Sequence, residues 1–532
     1  MSKRLVILFL AAAAMAVAAR GEDWPQWAGR ADRNMVSAER GLPESFEPAS
    51  AGRRDGRGPA SSHPAGLNVK WAVPLGTHTW STPAVAGGRV YIGTNNGAPR
   101  DPKYKGDYGI LLCLKESDGS LLWQLAAPHA DYQDMGIVAT PTIEGDRVYV
   151  VTGRAEVLCL DAKGLADGND GPFTDEAAYL SQPPWGRKPP EPSSQTATRA
   201  SGPPFALGPT DADIIWRFDM RSLWVQPHDV ATGSVLIRGQ TIFVSTSNGV
   251  GNPRQRIANS TVPSLIALDK KTGKLLAGDD EHIGRRMFHT EWSQPAMAAI
   301  NGKDQIAFGG ADGWLYGFDP EIDPNVTAHF NGPGKTPVIR KLWSLDCNPP
   351  EYVTRDGKPI PYRAKEDGPC EVIATPVFHG GLVYTAIGQD PEHGTGKGAL
   401  WCLDPSKIDD QGRPAVVWCD KTINRSDCTV AIADGLLYIG DRAGDIHCKD
   451  ATTGREIWTH STGTQLWSST LVADGKVYIG GFNGHLYVLA AGREKKLLAD
   501  IDTKSRIFAT PVAANGVLYI AAERMLYAVA KP

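Results

Sequence analysis

Four large aromatic residues occupy the same position, just ahead of four separate apolar hairpins in the chain. They are Trp80, Trp292, Trp467 and Phe508. A flat aromatic ring can stack on a planar ligand, and it can equally fill space as packing. The repeated position therefore predicts either a binding platform or an aromatic plug, and residue type alone favours neither.

Charged and polar residues near these positions could supply the polar half of such a site. Arginine can meet a carboxylate bidentately, and carboxylate or amide oxygens can hold Ca²⁺. We predict cofactor-binding roles for Trp80, Trp292, Trp467, Arg425 and Arg506. We predict ligand-binding roles for His78, His289, Glu291, Asn95, Asn96, Asp390, Glu392 and His393. His228, Asp229 and Asp427 lie in equivalent stretches.

Each of these predictions has a plainer alternative. Isolated histidines are commonly surface or hydrogen-bonded residues, and charges at a channel mouth can form a solvated rim. The run Gln389-Asp-Pro-Glu-His393 favours a functional role, because a polar loop that follows a strand end has no packing reason for those residues. The sequence identifies no metal ligands.

The eight cysteines favour packing over bridging. Four of them share one position of a repeated strand: Cys113, Cys159, Cys402 and Cys448. Other repeats place Ala267, Gly317, Val488 and Ala528 there, so the position requires a small buried residue, which Cys can be. A disulfide between Cys347 and Cys370 stays open. There is no adjacent Cys-Cys pair, no C-x-x-C-H motif and no zinc-type spacing.

The elements that would position these residues are repeated hairpins of the type Ser81–Thr94, STPAVAGGRVYIGT. A short strand, a Gly-Gly turn and an apolar strand recur at eight points: Pro83, Pro141, Val235, Pro295, Pro376, Val430, Thr470 and Pro511. A third strand follows each hairpin, and a fourth strand carrying Trp follows most of them. The tightest spacings, 470 − 430 = 40 and 511 − 470 = 41, match one four-stranded blade. The pattern predicts an all-β, eight-bladed β-propeller.

The last repeat ends without a fourth strand, whereas Asn68–Leu75 resembles a fourth strand that has no hairpin of its own. We predict that this N-terminal strand completes the last blade and closes the ring, which removes exposed sheet edges. A seven-bladed ring with an appended hairpin is the alternative.

The remaining segments suggest an exported protein. Residues 1–21 have the charge and apolar run of an export signal, and the run is shorter than a membrane span. We expect an extension and linker at 22–67, a propeller at 68–532, and insertions at about 165–213 and 319–341. We expect a periplasmic or secreted monomer. The formal charge of −4 argues against a nucleic-acid partner.

The turn Asp450-Ala-Thr-Thr-Gly454-Arg-Glu-Ile-Trp458 and the matching Asp269-Lys-Lys-Thr-Gly273 resemble repeats of the pyrroloquinoline quinone (PQQ) propeller class. Trp24-Pro-Gln-Trp27, with Arg33-Asn34 and Ser37, resembles the opening of exported bacterial PQQ-like propellers of unknown function, as does Ile387–Pro405. The resemblance spans roughly residues 68–532. Its wider class includes quinoprotein dehydrogenases, which bind PQQ and Ca²⁺, and BamB-like scaffolds, which bind no cofactor.

Three functions follow as hypotheses from these observations. The first is an exported, non-catalytic propeller that binds a ligand or a protein partner. The second, implied by the resemblance, is a PQQ- and Ca²⁺-dependent alcohol or sugar dehydrogenase. The third is a polysaccharide-binding propeller, since Trp platforms also stack on sugars. Fold alone does not choose among them.

Overall fold

The computed structural model describes residues 21–48, 66–128, 135–182, 205–228, 230–251, 256–257, 259–330, 334–362, 368–389 and 396–532. Within these residues the chain forms an eight-bladed β-propeller of antiparallel blades, as the repeats predicted. In the first seven blades the chain runs outward through strands 1 to 4 in sequence order, and in the last blade the N-terminal strand takes the fourth place. The eight strands numbered 1 surround the central channel.

Strand 1 is short, because the hairpin turn follows at once. Its copies are Ala84–Ala86, Thr142–Glu144, Leu236–Arg238, Ala296–Ile300, Val377–His379, Ala431–Ala433, Leu471–Ala473 and Val512–Ala514. Strand 2 is Arg89–Asn95, Arg147–Thr152, Thr241–Ser245, Lys303–Gly309, Leu382–Ile387, Leu436–Gly440, Lys476–Gly480 and Val517–Ala522. The apolar residues of strand 2 are buried on both faces between neighbouring blades.

The outer two strands complete each blade. Strand 3 is Tyr108–Lys115, Glu156–Asp161, Leu265–Asp269, Trp314–Phe318, Ala399–Ile408, Asp445–Asp450, His485–Ala490 and Met525–Val529. Strand 4 is Leu121–Pro128, Ile214–Asp219, Leu275–Gly278, Lys341–Asp346, Pro414–Asp420, Glu456–Ser461, Leu497–Asp502 and, for the last blade, Val69–Pro74. The two short α-helices are Glu176–Leu180 and Pro350–Val353, and the 3₁₀ turns are Gly164–Ala166, Met220–Leu223 and Ile283–Arg285.

The ring closes as predicted. Val69–Pro74 pairs antiparallel with Met525–Val529, and Trp71 lies opposite Ala528. The Trp71 indole contacts the Tyr519 ring at 5.9 Å within the same blade. Its N–H also donates to the Glu116 carbonyl of blade 1 at 2.9 Å. The first strand of the propeller therefore joins the last blade to the first.

The same packing unit explains the cysteine position. In blade 1, Tyr91, Cys113 and Trp123 lie opposite one another on strands 2, 3 and 4. The equivalent triplets are Tyr149–Cys159–Trp216, Tyr384–Cys402–Trp418 and Tyr438–Cys448–Trp458. A small residue between the two rings lets both pack against it. Burial raises the pKa of the Cys113 thiol to about 12, so it stays protonated.

All eight cysteines are free thiols. The Cys347–Cys370 bridge, which the sequence left open, is not formed. Both side chains are buried. The Cys347 thiol contacts the Leu345 carbonyl at 3.8 Å, and the Cys370 thiol contacts the Gly368 carbonyl at 3.5 Å. Each thiol is satisfied by a nearby backbone carbonyl.

Residues 21–48, called the clasp below, lie across the inner strands of the propeller. In chain order along the blades, the contacts join Trp24 to Val85, Pro25 to Ile143, Arg33 to Val235, Ala31 to Met297, Asp32 to Phe378, Asn34 to Ile432, Met35 to Val472 and Ser37 to Ala513. The Asn34 side chain pairs with the Ile432 backbone as a neighbouring β-strand would. Its oxygen accepts the Ile432 N–H at 2.8 Å, and its amide nitrogen donates to the Ile432 carbonyl at 2.9 Å. One peptide segment thus contacts all eight blades.

The two predicted insertions differ in structure. Asp323–Ala328 and Thr336–Val338 leave blade 4 as a hairpin and extend blade 3, where Val338 pairs in parallel with Gly278. Blade 3 therefore becomes six-stranded. The described part of the other insertion contains the helix Glu176–Leu180, which packs against blade 2: Tyr179 donates from its hydroxyl to the buried Glu156 at 2.7 Å. Among the described residues, no helix has the length and hydropathy required to cross a membrane.

Candidate functional site

The central channel contains a cavity of about 170 Å³, called the funnel below. Its mouth is formed by the aromatic residues that precede strand 1, namely Trp80, Trp292, Trp467 and Phe508. Deeper in the channel it is lined by Thr and Ser side chains, and Trp27 of the clasp forms its floor. Trp27 thereby brings the clasp, which contacts every inner strand, into the lining of the funnel.

Three of the four aromatic residues form one cluster. The Trp80 and Phe508 rings are stacked at 4.2 Å with an interplanar angle of 4°. Trp467 contacts both rings, at 5.1 Å and 5.2 Å. Phe482 extends the cluster from blade 7 and lies 5.5 Å from Trp467. These rings come from blades 1, 7 and 8, so they form one continuous wall of the funnel.

Trp292 lies apart from this cluster on the blade 4 side of the mouth and is partly exposed. Its backbone carbonyl accepts a bond from the Gln294 side chain at 2.9 Å, which holds the lead-in to strand 1. At the floor, the Trp27 indole donates to the Thr375 hydroxyl at 3.1 Å. The cavity therefore has aromatic surface on two walls and below.

Cations border the aromatic wall. The Arg442 guanidinium lies 4.3 Å from the Trp467 ring centroid, and the Arg506 guanidinium lies 4.4 Å from the Phe482 ring. Arg442 is buried and lies 3.5 Å from Asp427, whose carboxylate lines the funnel. Arg425 is also buried, and its carbonyl accepts the Arg442 N–H at 2.8 Å. Of the predicted cofactor-binding arginines, Arg506 borders the cluster directly, and Arg425 lies behind Arg442.

Several predicted ligand-binding residues have local structural contacts. The Asn95 side chain accepts the Thr77 N–H at 2.8 Å and so fixes the loop ahead of Trp80. Asn96 donates to the Tyr104 and Gly106 carbonyls. His78 Nδ1 lies within hydrogen-bonding distance, 2.9 Å, of a Glu523 carboxylate oxygen. Asn95 and Asn96 are buried, so they shape the mouth and do not line the funnel.

Glu291 and His289 lie under the blade 3 side of the mouth. Both are buried. Burial raises the pKa of the Glu291 carboxyl well above its usual range. Thr246 donates to it at 3.5 Å. The His289 ring contacts the His228 ring at 4.5 Å and lies stacked 6.4 Å from Tyr362. Neither Glu291 nor His289 is among the described residues that line the funnel.

Four predicted or associated residues, Asp229, Asp390, Glu392 and His393, lie outside the described residues. Their roles stay predictions.

The described residues contain one group with metal-ligating spacing, Asp441, Asp445 and His447, on blade 6. Burial lowers the pKa of His447, but Asp441 at 3.2 Å and Glu456 at 3.1 Å together raise it to about 9. The two carboxylates therefore favour the protonated imidazolium of His447. Asp441 also accepts the N–H groups of three turn residues, which makes the group a structural ion-pair cluster.

PQQ with a bound Ca²⁺ ion would have to be accommodated by the residues that line the funnel. Arg442 could meet a carboxylate of the quinone, and the aromatic walls suit a flat ring. Ca²⁺ takes six to eight oxygen ligands, whereas Asp427 is the sole carboxylate in the described lining and faces Arg442. A cavity of about 150 Å³ holds a molecule the size of benzene. PQQ has three fused rings and is larger than that. The cavity formed by the described residues therefore accommodates one ring, and it is a poor fit for PQQ with a bound Ca²⁺ ion.

The structure identifies functional residues that the sequence reasoning missed. Trp27 was placed in an N-terminal extension, and the Thr and Ser positions that precede strand 1 were treated as part of the repeat. Thr82, Thr429, Ser469 and Thr510 recur two residues after the aromatic positions or their equivalents. That recurrence of a hydroxyl in the repeat was the signal available in the sequence.

Comparison with known proteins agrees with this fold. A family model described as outer membrane protein assembly factor BamB matches residues 63–168 and 400–493. The curated quinohemoprotein alcohol dehydrogenase ADH IIB of Pseudomonas putida is 31% identical over 116 residues, which are 20% of this chain and only 16% of that protein's length.

The solved structures that resemble most of this chain include two with the following similarities. BamB from Moraxella catarrhalis has a TM-score of 0.52 at 14% identity, over 87% of this chain and 99% of that one. A europium-containing methanol dehydrogenase has a TM-score of 0.55 at 11% identity, over 96% and 98%. At these identities the two likenesses show the fold alone.

Proposed function

We propose that this eight-bladed β-propeller, which resembles PQQ-type propellers, is a binding protein. It takes a ring-sized group into its central funnel. The group is either a small molecule or one end of a larger partner. The protein acts in the periplasm or outside the cell, as the N-terminal export pattern predicts.

One observation carries this proposal: an aromatic wall, Trp292 and the floor residue Trp27 surround a cavity of about 170 Å³. Small-molecule sites are concave, mostly apolar and supplied with few polar groups. The funnel has this character, with hydroxyls deep in the channel and cations beside its wall. The contact of the clasp with all eight blades keeps the cavity shape in place before a ligand arrives.

Titration with toluene, followed by ligand-observed NMR, tests the proposal. We expect saturable binding to the unmodified protein and an affinity about tenfold weaker in Trp292→Ala, because one aromatic wall is lost. Trp224→Ala is the matched control, since Trp224 is 42% exposed and lies outside the funnel lining. Absence of saturable binding, or equal weakening in the two variants, would refute the proposal.

The dehydrogenase alternative has its own test. Purified protein is incubated with PQQ and Ca²⁺ and then assayed for dye reduction with alcohols and sugars. We expect no quinone-dependent reduction, because the described funnel lining contains one carboxylate. Reduction that requires both PQQ and Ca²⁺ would replace the binding proposal. For the polysaccharide alternative, a glycan array compares the unmodified protein with Trp292→Ala.

A further inference from the structure

Eight hydroxyl side chains are among the described residues that line the funnel, and four of them, from consecutive blades, are called the neck. These four are Thr82, Thr429, Ser469 and Thr510 from blades 1, 6, 7 and 8. Each is at least 97% buried, and each borders the cavity. Four neighbouring positions of the ring therefore present the same polar group to one space.

The hydroxyl oxygens are held by the backbone of the preceding blade. Thr429 accepts the Thr375 N–H at 3.2 Å, and Ser469 accepts the Thr429 N–H at 2.8 Å. Thr510 accepts the Ser469 N–H at 3.1 Å, and Thr82 accepts the Thr510 N–H at 3.0 Å. The last of these bonds crosses the closure of the ring. The bonds connect the blades and fix the position of every oxygen in the neck.

The hydroxyl protons remain available. A Ser or Thr hydroxyl is one donor as well as an acceptor. Within the part of the chain that the structure describes, none of the four neck hydroxyls donates to a protein acceptor. Buried donors are nearly always satisfied, so these protons are directed to something inside the cavity. The neck is thus a set of four donors converging on one buried space.

Two buried guanidinium groups lie close to the funnel. The Arg33 guanidinium donates to the Trp27 carbonyl at 2.7 Å, and the Asp32 carboxylate acts on it. Arg442 borders the aromatic wall and lies 3.5 Å from Asp427, the one carboxylate in the described lining. Each guanidinium therefore has a carboxylate partner, and the four hydroxyls are the donors that the neck offers to an incoming anion.

We propose that the neck binds the carboxylate of a ring-bearing acid, with the ring held between the aromatic wall and Trp292 above it. This assignment rests on the proposed binding function of the funnel and adds the chemical class of the ligand. The acid enters from the mouth with its carboxylate leading. Its oxygens accept hydrogen bonds from Thr82, Thr429, Ser469 and Thr510, and its ring replaces water along the apolar walls.

Benzoate and toluene are the probes, because they differ in the carboxylate while sharing the ring. We expect the unmodified protein to bind benzoate more tightly than toluene, measured by ligand-observed NMR titration. Equal or weaker binding of benzoate would overturn the assignment and leave the binding function standing. Failure of both probes to bind would overturn the proposed function itself. This comparison requires no variant.

Thr510→Val then tests the neck directly, because valine keeps the shape of threonine and lacks the hydroxyl. We expect benzoate affinity to fall about tenfold or more, as for loss of a hydrogen bond to a charged group, with toluene affinity unchanged. Thr510→Ser retains the hydroxyl and is the matched control. Equal losses for the two probes in Thr510→Val would instead show that the substitution disturbs the funnel and that the hydroxyl does not select the acid.

Discussion

Replacing Arg33 with alanine should destabilise the whole propeller, although Arg33 belongs to a segment outside the blades. Its guanidinium donates to the Pro295 carbonyl of blade 4 at 2.9 Å and to the Val235 carbonyl ahead of blade 3 at 3.4 Å. It also donates to the Trp27 carbonyl at 2.7 Å. Burial lowers the pKa of Arg33, and Asp32 opposes that shift, so the side chain remains a cation at neutral pH.

The magnitude follows from those bonds. Each hydrogen bond to a charged group contributes about 1.5–3 kcal/mol. Removing the arginine also removes the cost of burying its charge, which offsets part of the loss. We therefore expect the free energy of unfolding to fall by about 3 kcal/mol. The Pro295 and Trp27 carbonyls lose the Arg33 donor, whereas the Val235 carbonyl keeps the Thr142 hydroxyl at 2.8 Å.

Guanidinium denaturation, followed by tryptophan fluorescence, measures this change. Arg30→Ala is the matched control from the same segment, because Arg30 is 51% exposed and forms one ion pair, with Asp32 at 3.6 Å. That pair should contribute about 0–1 kcal/mol. Arg33→Lys should fall between the two, since lysine keeps the charge and lacks the planar fork. Equal losses in Arg33→Ala and Arg30→Ala would refute the structural role assigned to the clasp.

Two further predictions concern blade contacts. His447 has a pKa raised from 6.5 to about 9, so its contribution of about 3 kcal/mol is complete below pH 6.5 and is lost as pH rises through 9. His447→Gln should flatten the unfolding free energy over that pH range, and an unchanged profile would contradict the assignment. Gly119→Ala should destabilise the closing blade by about 1–3 kcal/mol, because a Cβ would lie 2.8 Å from the Trp71 ring. Gly87→Ala is the control, because Gly87 also has a positive φ but has open space around the added Cβ. It measures the cost of the backbone conformation alone. Equal losses of thermal stability in the two variants would refute the predicted clash with Trp71.

The positions of the aromatic residues could be predicted from the sequence, but their mutual contacts could not. Their shared position ahead of strand 1 was visible because each repeat carries the same local pattern. Which of them touch was not visible, because contacts around the ring join distant residues. The Thr510–Thr82 bond, for example, spans 428 residues of sequence. As a result, Trp80, Trp467 and Phe508 form one cluster, and Trp292 remains separate.

For a related reason, several polar residues that were predicted to bind a ligand are instead used in contacts inside the protein. Asn95 and Glu291 have residue types that suit ligand binding, but the Asn95 side chain accepts a backbone N–H, and Glu291 is buried with a raised pKa. Residue type describes what a side chain can donate or accept. Burial and the neighbouring blade decide whether that capacity is already used inside the protein.

The sequence by itself determined the number of blades, the closing strand and the buried thiols, because each depends on strand-period patterns within about forty residues. Tertiary structure alone decided that Trp27 lines the central cavity, with Arg33 bonded to its carbonyl, and that four hydroxyls from consecutive blades line the neck. The clasp has no repeating pattern from which its path could be inferred. Its conformation is set by hydrogen-bonding groups that eight separate blades bring together at the axis.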